Sequence, residues 1–75
     1  MTHTHQVSFR RILNLGRDEW YEQAAFTMHK DALQYAAWLS TQIKGDSIVR
    51  VSGGRDYVDV YYAKGAEIVS DEVMA

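Results

Sequence analysis

The stretch Met28-His29-Lys30-Asp31-Ala32-Leu33-Gln34-Tyr35-Ala36-Ala37-Trp38-Leu39-Ser40-Thr41-Gln42-Ile43-Lys44 decides the fold. It holds the strongest helical periodicity in the chain. At about 100° per residue, Ala32, Leu33, Ala36, Leu39 and Ile43 fall on one apolar stripe. Thr27 ahead of them suits an N-cap, and Asp31 in the first turn complements the helix dipole. Lys44 closes the last turn, and Gly45 offers a left-handed stop. A single helix with one apolar stripe needs a second layer against which to bury it.

The flanking segments supply that layer. Val7 to Leu15 reads as a strand, with Val7, Phe9, Leu13 and Leu15 on one side, interrupted by Arg11. Gly16 to Glu19 is a polar turn. Trp20 to Phe26 reads as a second strand through Trp20, Tyr21 and Phe26, although Glu22-Gln23-Ala24-Ala25 tolerates helix. One helix from Asp18 to Lys44 would let its apolar face wander, so the boundary falls at Thr27. Beyond the helix, Ser47 to Ser52 is a strand that puts Val49 and Val51 on one side. Gly53-Gly54-Arg55-Asp56 is a short hairpin turn. Tyr57 to Ala63 is the last strand, with Val58, Val60 and Tyr62 inward and Tyr57, Asp59 and Tyr61 outward.

The expected fold is α+β: a single ββαββ domain over residues 1–75, with a four-stranded antiparallel sheet in the order 2-1-3-4 and the helix on one face. Residues 1–6 are expected to form a flexible N-terminus. Residues 66–75 are expected to be a short acidic tail, in which Glu67-Ile68-Val69 either pairs weakly or stays loose.

Composition narrows the function classes. The chain has no cysteine, which removes disulfides, thiolate metal sites and a cysteine nucleophile. Eight Lys/Arg against ten Asp/Glu give a net charge of −2, and the basic residues are scattered. Nonspecific nucleic-acid binding needs a basic excess or stripe. No apolar run approaches the ~20 residues that span a bilayer. Met1 to Gln6 lacks the basic and apolar regions of a signal peptide, so a cytoplasmic location is expected.

Trp38 is the most informative side chain. It lies roughly 160° from the centre of the apolar stripe, among Asp31, Gln34, Thr41 and Gln42. Trp and Tyr carry much interface energy, so Trp38, Tyr35, Gln34 and Asp31 are candidate partner-binding residues. The opposing reading has Trp38 folded under one of its own termini. A second candidate is the sheet face turned away from the helix, with Arg10, Ile12, Asn14, Tyr21, Gln23, Ile48, Arg50, Tyr57, Asp59 and Tyr61. Here Tyr57, Tyr61, Arg50 and Tyr21 would form a contact patch, for a foreign protein or for a second copy. The opposing reading is an ordinary open antiparallel face. A third reading stacks single-stranded RNA on these aromatics, but the Lys/Arg-Gly-aromatic run of RRM-like sheets is missing.

Catalytic and metal signals are weak. His3-x-His5 lacks the further ligands of a metal site, and a mobile terminus is the simpler reading, so no metal is expected. His29 reads as a packed or capping histidine. Gly53-Gly54 lacks the Lys-Ser/Thr and following helix of a phosphate loop. No cofactor and no enzyme activity are expected.

The segment Tyr21-Glu22-Gln23-Ala24-Ala25-Phe26-Thr27, the helix His29 to Leu39 and the hairpin strand Ser47 to Gly54 resemble the layout of several small phage-encoded anti-CRISPR proteins. The resemblance is one of size and hairpin–helix–hairpin order, from Val7 to Ala63, and carries over no site residues. It implies a stoichiometric inhibitor that occludes a surface of a bacterial CRISPR effector complex in the host cytoplasm. Its alternative is a small sheet-based RNA-binding protein. A homo-oligomeric enzyme with its site between chains is a third and weaker reading.

Overall fold

A computed structural model describes residues 5–11, 20–43, 47–54 and 56–68. In chain order these form β1 (His5–Arg11), β2 (Tyr21–Phe26), α1 (His29–Gln42), β3 (Ser47–Ser52), β4 (Val60–Ala63) and β5 (Ala66–Ile68). The sheet is antiparallel throughout and ordered β2-β1-β3-β4-β5. The α+β class and the order 2-1-3-4 stand, and a fifth strand corrects the expected four.

The centre of the sheet follows from alternation. β1 and β3 pair without a break, from Gln6↔Ser52 to Arg11↔Ser47. This register sets Val7 against Val51 and Phe9 against Val49 on the helix side. Val7 and Val49 are fully buried, and with Val51, Tyr62, Ala32, Ala36 and Leu39 they make the core. At about 25 cal/mol per Å² of apolar surface, such burial is the main term favouring the fold. Alanines at 32 and 36 let the helix backbone settle close to the sheet. Leu33 and Ile43 are half-buried at the margins of the stripe.

The ends of the elements depart from expectation. Met28, not Thr27, is the N-cap, and no side chain caps the helix there. Gly45 and Lys44 lie outside the described residues. The helix closes through the Ile43 N–H, which donates to the Leu39 carbonyl at 3.1 Å. β1 begins at His5, which is 4% exposed, so residues 5 and 6 belong to the sheet and not to a loose arm. The expected continuation of β1 through Leu13 and Leu15 lies outside the described residues.

The second hairpin is longer than a tight turn. The Tyr57 N–H donates to the Gly54 carbonyl at 3.3 Å, and pairing resumes only at Val60. Val58 is therefore 83% exposed and not inward. Two consecutive glycines with positive φ, +87° at Gly53 and +84° at Gly54, carry the chain out of β3. Beyond β4, Lys64 (φ 52°) and Gly65 (φ 85°) make a two-residue turn whose signs are those of type I′. That turn creates β5, so residues 66–68 of the expected tail are a strand. The hairpin is tied to the helix: the Gly65 N–H donates to Ser40 Oγ at 2.7 Å, and that hydroxyl donates to the Ala37 carbonyl at 2.7 Å.

Candidate protein-binding surface

A bulge in the first hairpin decides which aromatics share a face. His5, Gln6 and Val7 pair with Phe26, Ala25 and Ala24, but Ser8 and Phe9 pair with Glu22 and Tyr21. Gln23 is the extra residue. One inserted residue reverses the faces for everything before it. Tyr21 is thereby carried to the helix side, where its ring lies 5.7 Å from Phe9. Trp20 goes to the other side and lies 6.4 Å from Tyr61. Strict alternation from Phe26 assigns both the opposite way, so the expected outward Tyr21 is corrected.

Tyr57 is corrected too. Its ring stacks on His29 of the helix at 4.0 Å and 20°, with His5 5.0 Å from both rings. It therefore stands on the helix side. The expected patch of Tyr57, Tyr61, Arg50 and Tyr21 does not assemble. Arg50 and Tyr61, paired in register, remain together on the face away from the helix.

That face is not an open platform. Ile48, outside the helix-facing cluster, is fully buried, and Ser8 is 3% exposed. The Arg50 guanidinium lies 4.1 Å from the centre of the Trp20 ring, and that of Arg10 lies 5.5 Å away. Two cations over one indole gain from its quadrupole.

The helix flank is assembled as its periodicity implies. Phe26 lies 5.3 Å from Tyr35, and Tyr35 lies 5.6 Å from Trp38. The three rings form a ladder from the edge strand β2 into solvent. Phe26 and Tyr35 are half-buried, whereas Trp38 is 54% exposed. Asp31 and Gln34 flank the ladder and are exposed. The Trp38 carbonyl accepts a bond from the Thr41 hydroxyl at 2.6 Å, which ties up a side chain on the same outer surface. The ladder joins two elements, yet its Phe26 rung gave no signal in sequence beyond strand propensity.

Among the described residues no group of three or more His, Cys, Asp or Glu comes together to hold a metal. Among the described residues no helix is long and apolar enough to cross a membrane. Of the titratable groups, Tyr62 stands out: burial first, and then the negative charge of Glu67 across the β4–β5 pair, raise its phenol above the ordinary value of 10.0. It lies in the core, away from the ladder. Comparison with protein-family models, curated proteins and solved structures finds no match to this chain.

Proposed function

We propose that this chain is a small protein-binding module whose contact surface is the Trp38 flank of α1 beside the β2 edge. One observation carries the reading: Trp38 stands 54% exposed at the outer end of the Phe26–Tyr35–Trp38 ladder. An indole held by a packed neighbour loses little further freedom on binding and has much apolar area left to bury. Asp31 and Gln34 supply polar groups at its rim.

The specific form we propose is a stoichiometric inhibitor, acting in the cytoplasm by occluding a bacterial CRISPR effector complex. Its support is the likeness in size and element order to small phage-encoded anti-CRISPR proteins, and a fold by itself does not fix function. The test titrates the chain and Trp38→Ala against purified RNA-guided effector complexes in a target-cleavage assay. Inhibition should saturate at a fixed stoichiometry. Trp38→Ala should need roughly thirtyfold more protein, the equivalent of about 2 kcal/mol. Equal potency of the two proteins would remove Trp38 from the surface. Inhibition of no effector would remove this target class.

A second reading, a sheet-based RNA-binding protein, draws on Trp20, Tyr61, Arg10 and Arg50. Single strands need a ring face open to a base, and here the Arg50 guanidinium occupies the Trp20 face. The net charge of −2 also opposes a phosphate backbone. Binding that collapses between low and moderate salt would favour this reading over the first.

A further inference from the structure

His5 is a buried polar side chain with an unmet need. It is 4% exposed, and its Nδ1 is enclosed with no hydrogen-bond partner. A buried nitrogen left unpaired costs free energy, and where a native structure keeps one, a water or an ion commonly accounts for it. His5 opens β1 on the helix side of the sheet, opposite Phe26. There it meets a second imidazole. His29, in the first turn of α1, lies 5.0 Å away between ring centres, with the planes 60° apart.

The packing holds both rings while leaving their edges unspent. Imidazole lone pairs lie in the ring plane. Tyr57 stacks on His29 at 4.0 Å and 20°, which uses the face of that ring and not its nitrogens. The same Tyr57 meets His5 at 77°, so one phenol orients both imidazoles. Beside His5 the chain carries a glycine: a Cβ at Gly54 would lie 2.8 Å from Nδ1. The spacing of the rings is that of two ligands of one ion. With zinc–nitrogen bonds of about 2.0–2.1 Å, each ring centre stands about 3.2 Å from the metal, and a tetrahedral angle then separates the centres by about 5.2 Å.

We infer that His5 and His29 are the two protein ligands of a site for a zinc-type divalent cation, whose other positions are open to water or to a donor atom of a bound partner. Neutral imidazole suits zinc and its neighbours, whereas magnesium and calcium take oxygen ligands. Among the described residues no third His, Cys, Asp or Glu completes the set, so the open positions belong to the inference. The site differs from the local His3-x-His5 spacing, because its second ligand comes from α1. An ion here joins the start of β1 to the start of the helix. The inference is separate from the Trp38 surface, and neither depends on the other.

The probe is zinc chloride, with cobalt(II) as a coloured substitute, added to the full chain in a buffer that does not bind metals. The pH is about 7.5, where an ordinary imidazole is neutral. One equivalent of zinc should bind, and NMR should show the ring resonances of both His5 and His29 moving together. Cobalt should give the visible absorption of a tetrahedral centre. Free zinc at roughly a hundredfold its dissociation constant should raise the melting temperature by about 10 °C. His29→Ala should weaken binding by tenfold or more, and His3→Ala should leave it unchanged. If His29→Ala fails to fold, the ring resonances of the wild-type chain decide the matter. No binding at millimolar zinc, movement of only one of the two rings, or binding retained in a folded His29→Ala would overturn the inference. Loss of binding in His3→Ala would assign the metal to the terminal pair, and affinity that grows with protein concentration would assign it to a contact between two chains. Either result would also overturn it.

Discussion

The two tryptophans occupy opposite kinds of site. Trp20 lies on the sheet face away from the helix, within reach of Arg10, Arg50 and Tyr61, side chains from three strands. The His5–His29–Tyr57 cluster is of the same kind, with rings from β1, α1 and the β3–β4 connection. Among the rings of the described residues, Trp38 lies against Tyr35, a single helical turn away. The first kind of cluster exists only when distant segments have come together, so its contacts stabilise the fold. The second is present whenever the helix is, and its area remains for something else.

The sharpest way to break this contrast is Trp20→Ala. It should cost about 3 kcal/mol of unfolding free energy, near the lower end for loss of a packed aromatic. Urea denaturation would measure it, and a loss no larger than that of Trp38→Ala would abolish the distinction. Next in size is Gly54→Ala. A Cβ there would lie 2.8 Å from His5 Nδ1 and 3.0 Å from Tyr57 Cδ2, at a φ of +84°. Crowding and the left-handed backbone together should cost about 2 kcal/mol. A melting temperature equal to wild type would mean that the ring cluster contributes nothing to the fold. Trp38→Ala should shift stability by no more than about 0.5 kcal/mol, as expected of an exposed position. A larger fall in its urea midpoint would place Trp38 with Trp20.

The smallest effect lies in the core, away from both tryptophans. The Tyr62 phenol is raised in the folded state, by burial and then by Glu67. The associated stability is present below pH 10 and is lost as pH rises through the folded value. Glu67→Gln should lessen that loss, visible as a smaller drop in urea midpoint between about pH 9 and 11. An unchanged alkaline profile in this variant would remove Glu67 as a cause.

The legible parts of the chain are those where a period runs unbroken. Val49 and Val51 in β3, and Ala32, Ala36 and Leu39 in α1, repeat at spacings of two and of three to four, and face the core as those spacings require. Trp38 was legible for the same reason, since a helix gives every residue a fixed angle. The face of Tyr21 was not. A single extra residue at Gln23 inverts it, and nothing in Glu22-Gln23-Ala24 marks a bulge. Tyr57 was misplaced because Gly53 and Gly54 open a connection that reaches to Asp59, where a tight turn was expected. β5 is three residues long, too short for alternation to show itself. Phe26 became part of the candidate surface through packing on Tyr35, a contact between elements that no local pattern encodes.

The placement of β1 has a consequence for how the chain is made. The first strand is the second from the edge, and its partner on one side is β3, with Gln6 paired to Ser52. The chain must therefore leave the ribosome through Ser52 before β1 can complete its bonding. Until then the nascent chain holds one hairpin and an amphipathic helix with nothing beneath it, and an isolated hairpin is marginal in water. Closing the β1–β3 pair spans most of the sequence, which raises the contact order and slows the folding step. The sheet is accordingly completed only after β3 has been made. A ribosome stalled before residue 52 would present Val7, Phe9 and the apolar stripe of α1 to chaperones and proteases as one exposed surface.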